Sequence, residues 1–272
     1  MSQDSFSIWY WHWHPDLYSG VAFLLGTYLL LIGPLRDKIT NEDNIPSKRQ
    51  VGCFTLGCFV MLFALAGPVH ELAEGYFFGA HMLQHILITL IVPPLLLLGI
   101  PGWLISPILK YRYNMAIAKF LTHPIIAFVA FNIVFDIWHF PSLYDGALKL
   151  HFIHILEHIF FMVTAVIMWW PILSPVPELP RLSYQLQMLY LIFISLVQTP
   201  LFAVITFSNT AIYGFYENTP KLWGITHLAD QQIGGIIMKL SWLIIFVPAI
   251  GVVFYKWYQQ EESKDREESN IT

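Results

Sequence analysis

Residues 152–172, FIHILEHIFFMVTAVIMWWPI, form an apolar run that contains a single carboxylate, Glu157. A helix needs about 20 residues to cross a hydrocarbon core of about 30 Å, so this run predicts a membrane-spanning helix. Lipid offers no partners for backbone N–H and C=O groups, which favours helices. Six further runs have the same character, namely residues 17–35, 51–69, 79–98, 121–139, 186–206 and 232–255. The sequence therefore predicts an all-α integral membrane protein, a bundle of seven transmembrane helices.

Composition agrees with this class and argues against others. Of the 272 residues, 56% are hydrophobic and 12% are charged, whereas about a quarter are charged in soluble domains. The net charge of -4 gives no reason to expect a nucleic-acid partner. Two cysteines, Cys53 and Cys58, are too few for a disulfide scaffold. We expect one transmembrane domain, residues 1–256, followed by a charged, disordered cytoplasmic tail, residues 257–272.

Prolines and basic residues add detail to the predicted bundle. Pro93, Pro94 and Pro101 are expected to end the third helix. The end with Lys149 and Lys221 is poor in basic residues, whereas the other end carries eleven of them: Arg36, Lys38, Lys48, Arg49, Lys110, Arg112, Lys119, Arg181, Lys256, Lys264 and Arg266. The positive-inside rule therefore predicts an N-terminus outside and a C-terminus in the cytoplasm.

The eleven histidines are unevenly distributed in this topology. Only His123 falls at the inner end, and ten lie at or near the outer end: His12, His14, His70, His81, His85, His139, His151, His154, His158 and His227. His81 and His85 share a helix face, as do His154 and His158, because each pair is four residues apart. Neutral imidazole is the commonest metal ligand, and polar groups inside a membrane are usually functional. The pattern favours a metal site built from the two pairs.

Neighbouring side chains could complete or orient such a site. Met162 lies one turn after His158, and a thioether suits Cu(I). Asp136 precedes His139 by three residues, and Glu157 directly precedes His158. These carboxylates are candidates to accept the second ring N–H of a metal-bound histidine. Simpler interpretations are that isolated histidines such as His12, His14 and His227 anchor the interface, that the pairs are hydrogen-bonded packing, and that Met162 fills the core.

The residues alone leave three chemistries open. The first is copper handling by an outward-facing site. The second is zinc hydrolysis within the membrane, since His154 to His158 matches the His-x-x-Glu-His pattern of some zinc proteases. The third is haem binding between histidines of two helices.

Several segments resemble the CtaG-type cytochrome c oxidase assembly factors, multi-span proteins associated with caa-type oxidases of Gram-positive and related bacteria. The first is AHMLQH at 80–85, with PPL at 93–95 and GIP at 99–101. The others are WHFP at 138–141, the run from His154 to His158, and DQQ at 230–232 with Gly234, Gly235 and Met238. Their order and spacing agree from about residue 15 to 256.

The resemblance implies an assembly factor of the bacterial plasma membrane, rather than an enzyme, that helps to supply copper to a haem–copper oxidase. It implies oxidase subunits, membrane lipid and an extracytoplasmic copper chaperone as partners. It carries over a candidate metal set of His81, His85, His139, His154, His158, Asp230 and Gln231. The predicted topology adds His70 and His151. Copper is the expected metal and zinc the alternative, and a metal-free assembly scaffold stays open.

Overall fold

A computed structural model describes Trp11, residues 13–40 and residues 44–269. His12, a predicted interfacial anchor, lies outside these residues. The described residues form helices and connecting segments without a strand. The α-helices are α1 (Pro15–Ile32), α2 (Lys48–Ala66), α3 (Pro68–Gly75), α4 (Phe78–Ile86), α5 (Val92–Gly99), α6 (Gly102–Leu109), α7 (Arg112–Leu121), α8 (Pro124–Trp138), α9 (Pro141–Lys149), α10 (His151–Leu173), α11 (Tyr184–Val197), α12 (Thr199–Phe207) and α13 (His227–Ser269).

The helices suit a multi-pass membrane protein. Six helical segments of the described chain are long and apolar enough to span a membrane: Pro15–Ile32, Lys48–Gly75, Phe78–Gly99, His151–Leu173, Tyr184–Phe207 and His227–Ser269. A seventh span requires α7 and α8 together, and these are bent by 65° at their junction. The bend falls before Pro124, because a residue that precedes proline is disfavoured in a helix. The predicted all-helical membrane fold is confirmed with six to seven spans, and the orientation stays a prediction.

The third span contains a π-helical turn, Leu87–Ile91, between α4 and α5. Pro93 lacks an N–H, so the Thr89 carbonyl has no α-helical donor four residues later. The indole N–H of Trp169 on α10 takes that place, 3.1 Å from the Thr89 oxygen. The sequence predicts that the prolines end this helix. Pro93 and Pro94 do not end it: the helix widens for one turn and continues to Gly99, two residues before Pro101.

Packing brings the histidine-bearing helices together. Helix α4 packs against α3 and α13, while α10 packs against α8 and α5. The shared core contains Phe131, Phe135, Phe161 and Trp242, which have 0% exposure. Since α5 continues α4, the contact of α10 with α5 places the first turns of α10 beside α4.

Helix α13 extends well beyond its apolar part. It continues to Ser269, through most of the segment expected to be a disordered tail. Two ion pairs at helical spacing support the extension, Lys264 with Glu261 and Arg266 with Glu262. Pairs at these spacings stabilise an exposed helix by roughly 0.2–0.5 kcal/mol each. The prediction of disorder is based on the low apolar content of the tail, which does not take such pairs into account.

The predicted orientation can be tested with reporter fusions. We expect alkaline phosphatase fused after Lys221 to be active and green fluorescent protein fused after Thr272 to fluoresce, because basic loops stay in the cytoplasm. Alkaline phosphatase fused after Lys110 is the matched control and should be inactive. The reverse pattern of activities would place the histidine-rich end in the cytoplasm.

Candidate metal centre

Four histidines from two helices converge inside the bundle. His81 and His85 of α4 face His154 and His158 of α10. The ring centroids are 5.2 Å apart for His81 and His154, and 5.7 Å apart for His85 and His158. His81 and His85 have 0% exposure and His154 has 5%, while His158 is half-buried. The two predicted pairs therefore lie together, although the chain separates them by several helices.

Glu157 joins these histidines. This residue has 0% exposure, and its Oε1 lies 3.6 Å from His85 Nε2. Two sets of three potential ligands occur in the described residues: His81 with His85 and His158, and His81 with His154 and Glu157. The ligand atoms of each set lie within 4.8 Å of one another. The sequence predicts only a supporting role for Glu157, whereas the structure places it inside the buried group (His81, His85, His154, His158 and Glu157).

The donor atoms of the buried group fit a cation. Among the described residues, no hydrogen-bond partner reaches His81 Nε2, either ring nitrogen of His85, His154 Nε2, His158 Nε2 or either oxygen of Glu157. Buried polar atoms are normally paired, because an unpaired one carries a desolvation cost. A metal ion bound here would give these atoms a partner.

Neighbours fix the ring orientation of two histidines. His154 Nδ1 lies 2.9 Å from Glu74 Oε1, and His139 Nδ1 lies 2.7 Å from the Phe135 carbonyl. Carbonyl and carboxylate oxygens accept hydrogen bonds, so each Nδ1 carries the proton and each Nε2 keeps its lone pair. This is the arrangement that metal-bound histidine usually adopts.

Two tyrosines orient His81. Its Nδ1 lies 3.0 Å from the Tyr144 hydroxyl and 3.2 Å from that of Tyr216. Tyr216 donates its own proton to the Ala73 carbonyl at 2.7 Å, so its oxygen can accept the His81 Nδ1–H. Burial raises the pKa of both phenols well above the usual range. They stay neutral. With the His81 proton on Nδ1 and directed to Tyr216, Nε2 keeps the lone pair that a ligand needs.

The other predicted histidines lie around this group. The His139 ring is 5.5 Å from His85 and stacks on Phe135, at the edge of the buried group. His70 and His151 lie on the other side, lining a cavity of about 300 Å³ together with Met162. None of these four predicted residues belongs to the two sets of closely spaced ligands.

Asp230, a predicted metal ligand, bonds to the backbone at the start of α4 in the structure. Its two oxygens accept the backbone N–H groups of Phe78 and Gly79 at 2.6 and 3.0 Å. Helix α4 begins after Phe77, whose side chain makes no capping hydrogen bond, so its first N–H groups need an outside acceptor. Asp230 therefore supports the helix that carries His81 and His85.

Gln231 and Asp136 also make their contacts outside the buried group. Gln231 accepts the Ile212 N–H at 2.6 Å and donates to the Ile205 carbonyl at 3.2 Å, tying α13 to α12 and the loop after it. Asp136 is exposed and bonds to Gln198. The hydrogen bond of His139 Nδ1, for which Asp136 was the predicted acceptor, is made to the Phe135 carbonyl.

Sequence reasoning missed Glu74, Tyr144 and Tyr216. Glu74 follows His70 by four residues on the short helix α3, a spacing that could have indicated a shared face. Tyr144 and Tyr216 belong to α9 and to a 3₁₀ turn, Gly214–Asn218. Their meeting with His81 is purely tertiary and leaves no local signal.

Comparison with known proteins identifies the family of this chain. A family model described as cytochrome c oxidase caa3 assembly factor matches residues 26–260. The chain belongs to this family. It is 28% identical over 263 residues to uncharacterized proteins of Mycobacterium bovis and Mycobacterium tuberculosis, and the match covers 89% of this chain. The chain spans only 38% of the length of these relatives. No solved structure matches it.

The helix-supporting role of Asp230 can be tested by substitution. Asp230→Ala leaves two buried N–H groups without an acceptor, which we expect to destabilise the protein by about 1–3 kcal/mol. Thermal unfolding in detergent would show a lower midpoint, whereas Asp37→Ala at an exposed site would not. Loss of bound metal with an unchanged midpoint would make Asp230 a ligand and contradict this assignment.

Proposed function

We propose that the protein is an assembly factor that binds copper in the buried group and supplies it to a cytochrome c oxidase in a bacterial plasma membrane. The observation that carries the proposal is the set of unpaired imidazole nitrogens on His81, His85, His154 and His158. Membership of the oxidase assembly family supplies the biological setting. Copper is the cargo in this proposal, and oxidase subunits are its destination.

The donor set is consistent with transfer of copper. Imidazole suits copper in both oxidation states, and the group offers no thiolate to hold Cu(I) tightly. The two cysteines do not compete, because Cys53 and Cys58 lie on α2 and belong to neither ligand set. A moderate affinity would let an oxidase subunit or an extracytoplasmic chaperone exchange copper with the group.

One observation favours a second candidate, a zinc-dependent hydrolase. His81, His154 and Glu157 match the two-His, one-Glu ligand set of several catalytic zinc sites. Such a site would need a water on the metal and a path for substrate. Metal identity separates the two candidates.

Elemental analysis of the detergent-purified chain tests the copper proposal. We expect copper in the wild type, and we expect His81→Gln/His85→Gln to lose the copper held by the buried group, because two ligands are removed while side-chain polarity is kept. His123→Gln is the matched control, since His123 is an exposed histidine at the start of α8, outside both ligand sets. Zinc in place of copper would support the hydrolase, and iron would indicate haem. The absence of bound metal would favour a metal-free assembly scaffold.

The role in oxidase assembly can be measured in cells. In a strain that lacks its own assembly factor, we expect the wild-type gene to restore copper content and activity of the oxidase, and His81→Gln/His85→Gln to restore neither. Equal amounts of both proteins in the membrane must be verified by immunoblotting. Full restoration by the variant would overturn copper supply by this group.

A further inference from the structure

The cavity beside the buried group has a second cluster of histidines at its mouth. It lies between α1, α2, α3 and α10 and is lined by His14, His70 and His151. The rings of His14 and His70 have centroids 4.8 Å apart, and those of His14 and His151 are 5.8 Å apart. We call these three residues the mouth group. They come from three separate elements, so their convergence is tertiary.

Two nitrogens of the mouth group face each other, and the His151 ring stacks on His14. His14 Nε2 and His70 Nε2 are 2.9 Å apart. Two imidazole nitrogens at this distance either share a proton or, after a small separation, bind one cation together. His70 Nδ1 lies 3.4 Å from Glu74 Oε1 and 3.3 Å from Gln84 Nε2. These contacts hold the ring with Nε2 toward His14.

Glu74 connects the two groups. The same oxygen, Oε1, contacts His70 Nδ1 at 3.4 Å and His154 Nδ1 at 2.9 Å. Each ring therefore directs its Nε2 away from the carboxylate, His70 toward the mouth and His154 toward the buried group. Carboxylates that orient metal-bound histidines are a general feature of metal sites. Here one carboxylate orients a ligand in each group.

The cavity offers a path between the groups. His154 and His158 belong to the buried group and also line the cavity. Met61 and Met162 lie in the same wall, and thioethers are ligands that Cu(I) accepts. The remaining wall is mainly apolar, with Leu65 among its residues.

We propose that His14, His70 and His151 form a second copper site, through which Cu(I) passes along the cavity to the buried group. The inference rests on the proposed function and adds an entry site to it. Glu74 acts as a positioning residue for both sites. The copper ion would move by ligand exchange, from the mouth histidines to His154 and His158, without a change of oxidation state.

Titration of the full-length protein with Cu(I) tests this proposal. The metal-free protein in detergent would be titrated with Cu(I) buffered by a colorimetric chelator. We expect about two ions per chain in the wild type and about one in each of His14→Ala/His151→Ala and His81→Gln/His85→Gln. The first variant should fold normally, because His151 is exposed and the His14 side chain does not cap α1. His123→Gln should bind as the wild type does.

Loading kinetics and Glu74 give independent readouts. The buried group of His14→Ala/His151→Ala should fill more slowly than that of the wild type, with unchanged final affinity. Glu74→Gln should weaken both sites by roughly 10- to 100-fold. One ion per chain, lost in His81→Gln/His85→Gln and unaffected in amount and rate by His14→Ala/His151→Ala, would overturn the mouth site and leave the proposed function standing. No bound copper at all would overturn both.

Discussion

Imidazole nitrogens and carboxylate oxygens inside an apolar bundle need partners, and this requirement organises the histidine-rich end of the molecule. One oxygen of Glu74 contacts both His70 and His154, and the hydroxyl groups of two tyrosines contact His81. Each of these contacts uses Nδ1. The Nε2 atoms of His81 and His154 and both ring nitrogens of His85 have no hydrogen-bond partner among the described residues. They lie close to one another and to Glu157. The concentration of these potential ligand atoms in one buried place is the observation from which we propose a bound cation.

The contacts around the site also explain its supporting architecture. Asp230 on α13 stabilises the start of α4, and so fixes where His81 and His85 lie along the bundle axis. Gln231, the next residue, ties α13 to the end of α12. Neighbouring polar residues of one helix thus hold two other elements in place. In the structure, Asp230 and Gln231 therefore contact backbone groups of other elements and lie outside the buried group.

The membrane spans and the two histidine pairs could be predicted from the sequence, because they depend on local sequence patterns. Apolar runs report spans directly, and a four-residue spacing places His81 with His85 and His154 with His158. The role of Asp230 could not be predicted, since its partners are backbone groups of Phe78 and Gly79, far away in the chain. The place of Glu157 among the buried histidines could not be predicted for a related reason. Its adjacency to His158 suggested a supporting role, and only the packing of α10 against the third span shows that Glu157 lies beside His85.

The π-helical turn at Leu87–Ile91 gives the third span a defined rotational phase. Each residue turns an α-helix by about 100°, so the widened turn sets the angle between the histidine face of α4 and the proline-containing half below it. The half from Val92 onward is held by its packing on α2 and α10. The direction in which His81 and His85 point therefore depends on the number of residues that separate them from Pro93. A chain with one residue fewer in this interval would present its histidine pair to a different neighbour, with every side chain of the site still in the sequence.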